Sequence, residues 1–225
     1  MVKQRIIKIM IVDDHALVRN GIRRLLEDLP DMQVVAEAES GEEALEKITK
    51  SVPDVILLDM KMPGMDGWEV TRRLSKKAIN IKVIALTALS SDPLPEKILQ
   101  LGAMGYLTKD TNAEEMAVAI RNVAKGERYL GAKIAQKMVI SRLQPNHDNP
   151  FDCLSDREIQ VMLLITQGKP VQDVADQLFL STKTINTYRY QLFEKLSLKN
   201  DVELTHFAMK YGLIDNPSEL NCEKE

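Results

Sequence analysis

The sequence predicts an α/β fold with a doubly wound, five-stranded parallel sheet, followed by a small all-α domain of four helices. Three observations carry that expectation. Up to about Lys125, β-branched apolar runs alternate with segments of helical period. The first of them, "IIKIMIV", is a continuous β-branched run, as in a strand buried on both faces. Beyond residue 150 the strand-like runs disappear and the chain reads as helices. At 225 residues the chain is also longer than most single domains, so two are expected.

The elements follow in order. "IIKIMIV" is the first strand, and "HALVRNGIRRLLEDL" the first helix, with Leu17, Ile22, Leu25, Leu26 and Leu29 on its apolar side. "QVVAEAE" and "GEEALEKITK" form the second unit, and "DVILLD" and "DGWEVTRRLSKK" the third. "KVIALTA" and "LPEKILQLG" form the fourth, and "MGYLTK" and "NAEEMAVAIRNVAKG" the fifth. Five such units in a row imply a parallel sheet with helices on both faces. Gly126 is placed to stop the last helix. Residues 131–143 read as a short amphipathic helix, and "QPNHDNP" over 144–150, polar with two prolines, as a linker. The expected domains are thus 5–125 and 151–215, with a helical segment and linker at 126–150, and the last ten residues are expected to fray.

Composition removes several function classes. Thirty basic residues against 33 acidic ones leave the chain near neutral, which excludes a protein that coats nucleic acid by bulk charge. Cys153 and Cys222 are the two cysteines, too few for a zinc site and expected as free thiols in a reducing compartment. Lys3, Arg5 and Lys8 precede a short apolar run, but Asp13 and Asp14 interrupt it and no small-residue cleavage site follows. No stretch approaches the ~20 apolar residues of a membrane span. The expected location is cytoplasmic, away from any membrane.

In a parallel α/β sheet, ligands bind beyond the carboxyl ends of the strands. Asp13 and Asp14 stand there on the first strand, Asp59 on the third, Thr87 on the fourth and Lys109 on the fifth. If the first strand lies beside the third, all five converge on one edge. A single acid at a strand end reads as a solvated loop residue. Three carboxylates in one pocket repel and would partly protonate unless a cation joined them. All-oxygen ligation with retained waters suits Mg²⁺. "DDHA" would repel a bare phosphate, which argues against a flavin-nucleotide binder. A haloacid-dehalogenase phosphatase needs a second acid two positions after the nucleophile on the first strand, and His15 stands there instead. His15 itself reads as a local polar contact.

The constellation of Asp13–Asp14, Asp59 in "VILLDMKMPGMDG", Thr87 before Ala88, and Lys109 after "GYLT" resembles the receiver domain of two-component response regulators, over about residues 5–125. Asp110 stands where many receivers have proline. The resemblance implies a flavodoxin-like fold and a role for each residue. Asp59 would accept a phosphoryl group from a sensor histidine kinase. Asp14 and Asp59 would ligate Mg²⁺, with Asp13 acting through water and the Lys61 carbonyl completing the site. Lys109 and Thr87 would contact the phosphoryl oxygens, and Tyr106 would turn inward as a switch. "MPG" supplies a turn, Pro63 fixing φ and Gly64 free to take positive φ.

The second domain opens with "SDREIQVMLLITQG", in which Ser155 and Glu158 have the spacing of a capping box and Gly168 is the stop. "VQDVADQLF", a short turn and "TKTINTYRYQLFEKLSL" then make a helix-turn-helix, the long helix capped by Ser181 or Thr182. "DVELTHFAMKYGL" is the fourth helix, ending at Gly212. Residues 151–215 carry seven bases to nine acids, but 182–199 carries four bases to one acid, so the positive charge is local to the long helix. The domain resembles the LuxR-type helix-turn-helix of the NarL/FixJ family, with Tyr188 at the usual central histidine position. That resemblance puts Asn186, Thr187 and Tyr190 in the major groove of double-stranded promoter DNA, and Lys183, Thr184, Arg189 and Lys195 on phosphates. "NTYRYQLFEKL", "DVELTHFA" and "DPLPEKILQLGA" look like the UvrY/GacA group. That likeness implies a BarA/GacS-type hybrid kinase, RNA polymerase and a second copy of the chain as partners, and small regulatory RNA genes as targets. The reading from another class is a phosphoryl relay whose helical domain binds a protein.

Overall fold

The structure, a computed structural model, describes residues 5–76, 80–87, 94–143, 150–211 and 213–214. Residues 144–149 of the linker expected at 144–150, the stop at Gly212, Ala88 and the last ten residues lie outside them. The chain divides into two compact units.

The first unit alternates β1 (Ile7–Val12), α1 (Ala16–Glu27), β2 (Met32–Ala38), α2 (Gly41–Lys50), β3 (Val55–Asp59), α3 (Gly67–Ser75), β4 (Lys82–Thr87), α4 (Pro95–Leu101), β5 (Gly105–Thr108) and α5 (Ala113–Ala124). The sheet is parallel, in the order β2-β1-β3-β4-β5-β6. It has six strands rather than five. The addition, β6 (Tyr129–Leu130), pairs with Gly105 and Tyr106 at the far edge and leads into α6 (Ala132–Leu143).

Alternate side chains of each strand go to opposite faces, and both faces are covered. Ile9 and Ile11 of β1, with Leu57, Ile84 and Leu86, pack under Ile22 and Leu26 of α1 and Ile120 and Val123 of α5. Met10 and Val12, with Ile56 and Leu58, pack under Ala44 and Ile48 of α2 and Val70 and Leu74 of α3. This double burial is why the central strands β3 and β4 read as nearly unbroken apolar runs, whereas edge strand β2 carries Gln33 and Glu37 and is largely half-buried. The α1 reading needs one correction: Ile22 and Leu26 are buried and Leu29 packs beside them, but Leu17 is 87% and Leu25 41% exposed.

The second unit holds α7 (Asp156–Thr166), α8 (Val171–Leu178), α9 (Thr182–Leu196) and α10 (Asp201–Lys210). Ser155 and Glu158 form the expected capping box, and Ser181 is the residue that caps α9. Phe179 closes α8 in the left-handed region, φ 56°, with Leu180 N donating to Ala175 O. Ile159, Met162, Val174, Leu178, Ile185, Leu192 and Leu204 fill the core. Phe151 is fully buried, its ring edge-on to Phe207 at 5.7 Å and Tyr211 at 5.5 Å. Among the described residues no helix is long and apolar enough to cross a membrane.

Candidate functional site

Because β1 lies between β2 and β3, the carboxyl ends of β1, β3, β4 and β5 open on one edge. Asp13 follows β1, with its backbone N–H on Ala38 O and its Oδ1 accepting from His15 N at 2.8 Å. Asp59 ends β3, its Oδ1 accepting from Lys61 N at 3.0 Å. Lys109 follows β5, anchored by its N–H on Thr87 O at 2.7 Å. Its Nζ lies 2.7 Å from Asp13 Oδ2 and 2.8 Å from Asp59 Oδ2. Asp13 is fully buried and Asp59 and Thr87 nearly so. Tyr106 is fully buried on β5. Asp14 completes the acidic group, with His15 Nδ1 at 2.8 Å from its Oδ1.

Burial lifts the Asp59 carboxyl to about 6, against the opposing hydrogen bonds from Lys109 and the Lys61 N–H. Burial works against the Lys109 charge too, but its hydrogen bonds to Asp13 and Asp59 prevail and raise the ammonium pKa. One ligand atom each from Asp13, Asp14, His15 and Asp59 lie within 4.8 Å of one another. Asp13 Oδ2 and Asp14 Oδ1 are buried, with only the Lys109 ammonium beside the first and only the His15 imidazole beside the second. Buried carboxylate oxygens short of donors, with a third carboxylate in reach, fit an oxygen-ligated divalent cation. His15 belongs to this group as well, which its place at the start of α1 did not announce.

The loop after Asp59 is held from two sides. Gly64 takes φ +74°, as its turn requires, and Glu42 Oε1 of α2 accepts from Met65 N at 2.9 Å. Glu42 was not singled out by motif, because its partner lies 23 positions away. Gly67 opens α3 against the end of β3. A Cβ there would stand 2.4 Å from Asp59 O and 2.8 Å from Met60 Cα, both backbone atoms that cannot move aside. Gly67→Ala is expected to cost about 1–3 kcal/mol of stability through overpacking. Thermal unfolding of the variant measures it, and an unchanged midpoint would show that the backbone there yields.

In the second unit, α9 exposes Lys183, Thr187 and Tyr190, spaced one turn apart, with Asn186 half-buried at their edge. Thr184 is half-buried and its hydroxyl pairs with that of Ser181 at 2.8 Å. Lys183 has no ion-pair partner among the described residues. Arg189 and Lys195 are differently placed. Arg189 pairs with Asp201 and donates to Asn186 Oδ1 at 2.8 Å. Lys195 Nζ donates to Glu158 Oε2 at 2.7 Å and to Cys153 O at 3.1 Å. Both cations are tied to other helices, a connection that a charge count along α9 could not reveal.

Residues 9–121 match the family described as the response regulator receiver domain, and residues 152–208 the family described as bacterial regulatory proteins, luxR family. The chain belongs to the response regulators. This response regulator is 51% identical to the response regulator GacA of Pseudomonas protegens over 209 residues, 93% of this chain and 98% of that one. It is 47% identical to the response regulator UvrY of Escherichia coli strain K12 over 92% of this chain and 95% of that one. Among solved structures it is similar to RcsB from Salmonella enterica serovar Typhimurium bound to promoter rprA with the phosphomimetic BeF3-, with TM-score 0.71 and 25% identity, covering 89% of this chain and 98% of that chain. The response regulator thus carries a receiver domain and a LuxR-type DNA-binding domain, and the acidic cluster lies where receivers generally hold Mg²⁺.

Proposed function

We propose that this regulator takes a phosphoryl group onto Asp59 and in that state binds promoter DNA through α9 to control transcription. The observation that carries the reading is Lys109, whose Nζ is shared between Asp13 and Asp59 at one sheet edge. A carboxylate oxygen of Asp59 attacks phosphorus, and the donor's bond to phosphorus breaks as the acyl phosphate forms. Lys109 neutralises charge developing on the phosphoryl oxygens. Thr87, at the end of β4, contacts one of them, and Tyr106 on the adjoining strand follows the shift as the switch residue. Asp14, Asp59 and the Lys61 carbonyl would ligate Mg²⁺, with Asp13 acting through water. The ion, when bound, supplies further neutralisation of the transferring group. Asn186, Thr187 and Tyr190 read bases, and Lys183 and Thr184 contact phosphates.

The likeness to GacA and UvrY supports further particulars: a BarA/GacS-type hybrid sensor kinase as donor, action as a dimer with RNA polymerase, small regulatory RNA genes as targets, and a cytoplasmic location. The test is a binding titration of full-length protein on a promoter duplex, with and without prior acetyl phosphate and Mg²⁺. Tighter, sequence-dependent binding after phosphorylation is the expected result. Equal, sequence-blind binding in both states would turn the reading toward a relay module.

Metal affinity should follow the Asp59 titration. A ligating carboxylate must be deprotonated, and the Asp59 carboxyl sits at about 6. Mg²⁺ binding, measured by calorimetric titration, is therefore expected to be constant above pH 7 and to weaken roughly tenfold per pH unit below about 6. An affinity flat down to pH 5 would remove Asp59 from the ligands.

A further inference from the structure

Arg189 lies on the DNA-reading helix, but its guanidinium serves two neighbours within the domain. Nε donates to Asp201 Oδ1 at 3.2 Å, and one terminal nitrogen donates to Asp201 Oδ2. The other terminal nitrogen donates to Asn186 Oδ1 at 2.8 Å. The Phe193 ring lies 6.0 Å from the guanidinium carbon, and only 24% of the Arg189 side chain is exposed. Asp201 is the first residue of α10, so the three residues run from the start of one helix to the reading face of another.

The direction of these bonds fixes something the carboxamide's shape leaves free. A guanidinium has donors only, so the oxygen of Asn186 faces Arg189 and its NH₂ faces away. Among the described residues the NH₂ of Asn186 has no partner, and it sits beside exposed Thr187 and one turn from exposed Tyr190. Without Arg189 the amide could present either end to a base, and the two ends select opposite base edges.

We propose that Asp201 and Arg189 are positioning residues that hold Asn186 in one orientation, so that it presents amide hydrogens to an acceptor on a base edge in the major groove. This rests on the reading of α9 as the DNA-contacting helix. Arg189 then contributes to sequence preference rather than to general attraction for phosphates. Arg189→Lys separates the two roles, because lysine keeps the charge but loses the planar fork that grips Asp201 and Asn186 together.

The experiment uses full-length protein treated with acetyl phosphate and Mg²⁺, a duplex that the wild type enriches from a randomised pool, and a scrambled duplex, each at several salt concentrations. Arg189→Lys and Asp201→Asn are each expected to reduce the preference for the enriched duplex about fivefold or more, the low end of one base contact. The slope of log affinity against log salt should stay as in wild type, because no phosphate contact is lost. Asn186→Ala should lose a similar preference, and Asn186→Ala with Arg189→Lys should lose no more than Asn186→Ala alone. Thermal unfolding accompanies each protein, and the Nε–H of Arg189, followed by ¹⁵N NMR, should be protected in wild type and exposed in Asp201→Asn. Intact preference in Arg189→Lys overturns the inference. So does an equal loss on both duplexes with a flatter salt slope, or an Arg189 Nε–H unprotected in wild type. In those cases a wild type that still prefers its duplex leaves the DNA-reading function standing. A wild type without preference defeats both.

Discussion

Asp59→Asn is expected to leave the protein folded and to abolish its covalent phosphorylation. The two side chains have the same shape, and the amide oxygen can still accept from Lys109, now at 2.8 Å from Asp59 Oδ2, or from the Lys61 N–H. What disappears is the anionic nucleophile. The wild-type carboxyl is lifted by burial to about 6, so its charged form is disfavoured in the folded state relative to the unfolded chain. The sign follows from linkage: a carboxyl raised on folding costs nothing below its ordinary value near 3.8, progressively more up to about 6, and a constant amount above. In metal-free protein, Asn should therefore gain stability over wild type as pH rises through that window. Incubation with acetyl phosphate and Mg²⁺ followed by intact-mass measurement checks the chemistry. The wild type should gain one phosphoryl group and the variant none. An adduct on the variant would move the acceptor elsewhere, with Asp13 and Asp14 the nearest carboxylates.

Phe151→Ala should have the largest effect on the second unit. Its ring is fully buried and edge-on to both Phe207 and Tyr211, whose own rings are tilted at 44° with centroids 4.7 Å apart. Truncating a buried phenylalanine costs about 3–5 kcal/mol, and lost edge-to-face pairs account for part of that. A domain of this size holds on the order of 5–15 kcal/mol in total. The variant is expected to show an early calorimetric transition and to lose DNA binding, while Asp59 still takes up phosphoryl. Loss of phosphorylation together with DNA binding would show that the two units do not fold independently, and a shift below about 1 kcal/mol would show that the aromatic cluster repacks.

The site was legible at the sheet edge because strand ends are marked twice in the sequence, by the close of an apolar run and by a polar residue beyond it. Asp13, Asp59, Thr87 and Lys109 could be placed before their distances were known. The first helix was read less well. At 3.6 residues per turn, Leu17 lies roughly 140° from Ile22, so it shares the helix but not the face. Val18, Ile22, Leu26 and Leu29 keep the proper spacing, and these are the residues packed on the sheet. Tyr129–Leu130 was missed as a strand because two residues cannot display a period. Arg189 and Lys195 were expected on phosphates, and their partners in the domain, Asp201 and Glu158, were not legible because they sit on other helices. Local sequence reports a charge, and only packing decides what answers it.

Glu158 has a consequence for how the helical unit opens. Its Oε2 accepts from Ser155 N and Oγ, at 2.7 and 2.8 Å, and from Lys195 Nζ at 2.7 Å, while the side chain is almost wholly buried. The first turn of α7 and the last turn of α9 are therefore latched by one atom. Helix ends ordinarily fray at low cost and independently of one another. Here neither can come apart without stranding a buried charge, so the two ends belong to a single cooperative opening. In hydrogen-exchange terms, amides at the start of α7 and at the end of α9 should share one opening free energy. The end of α9 is released by the same fluctuation that unwinds the domain's first turn.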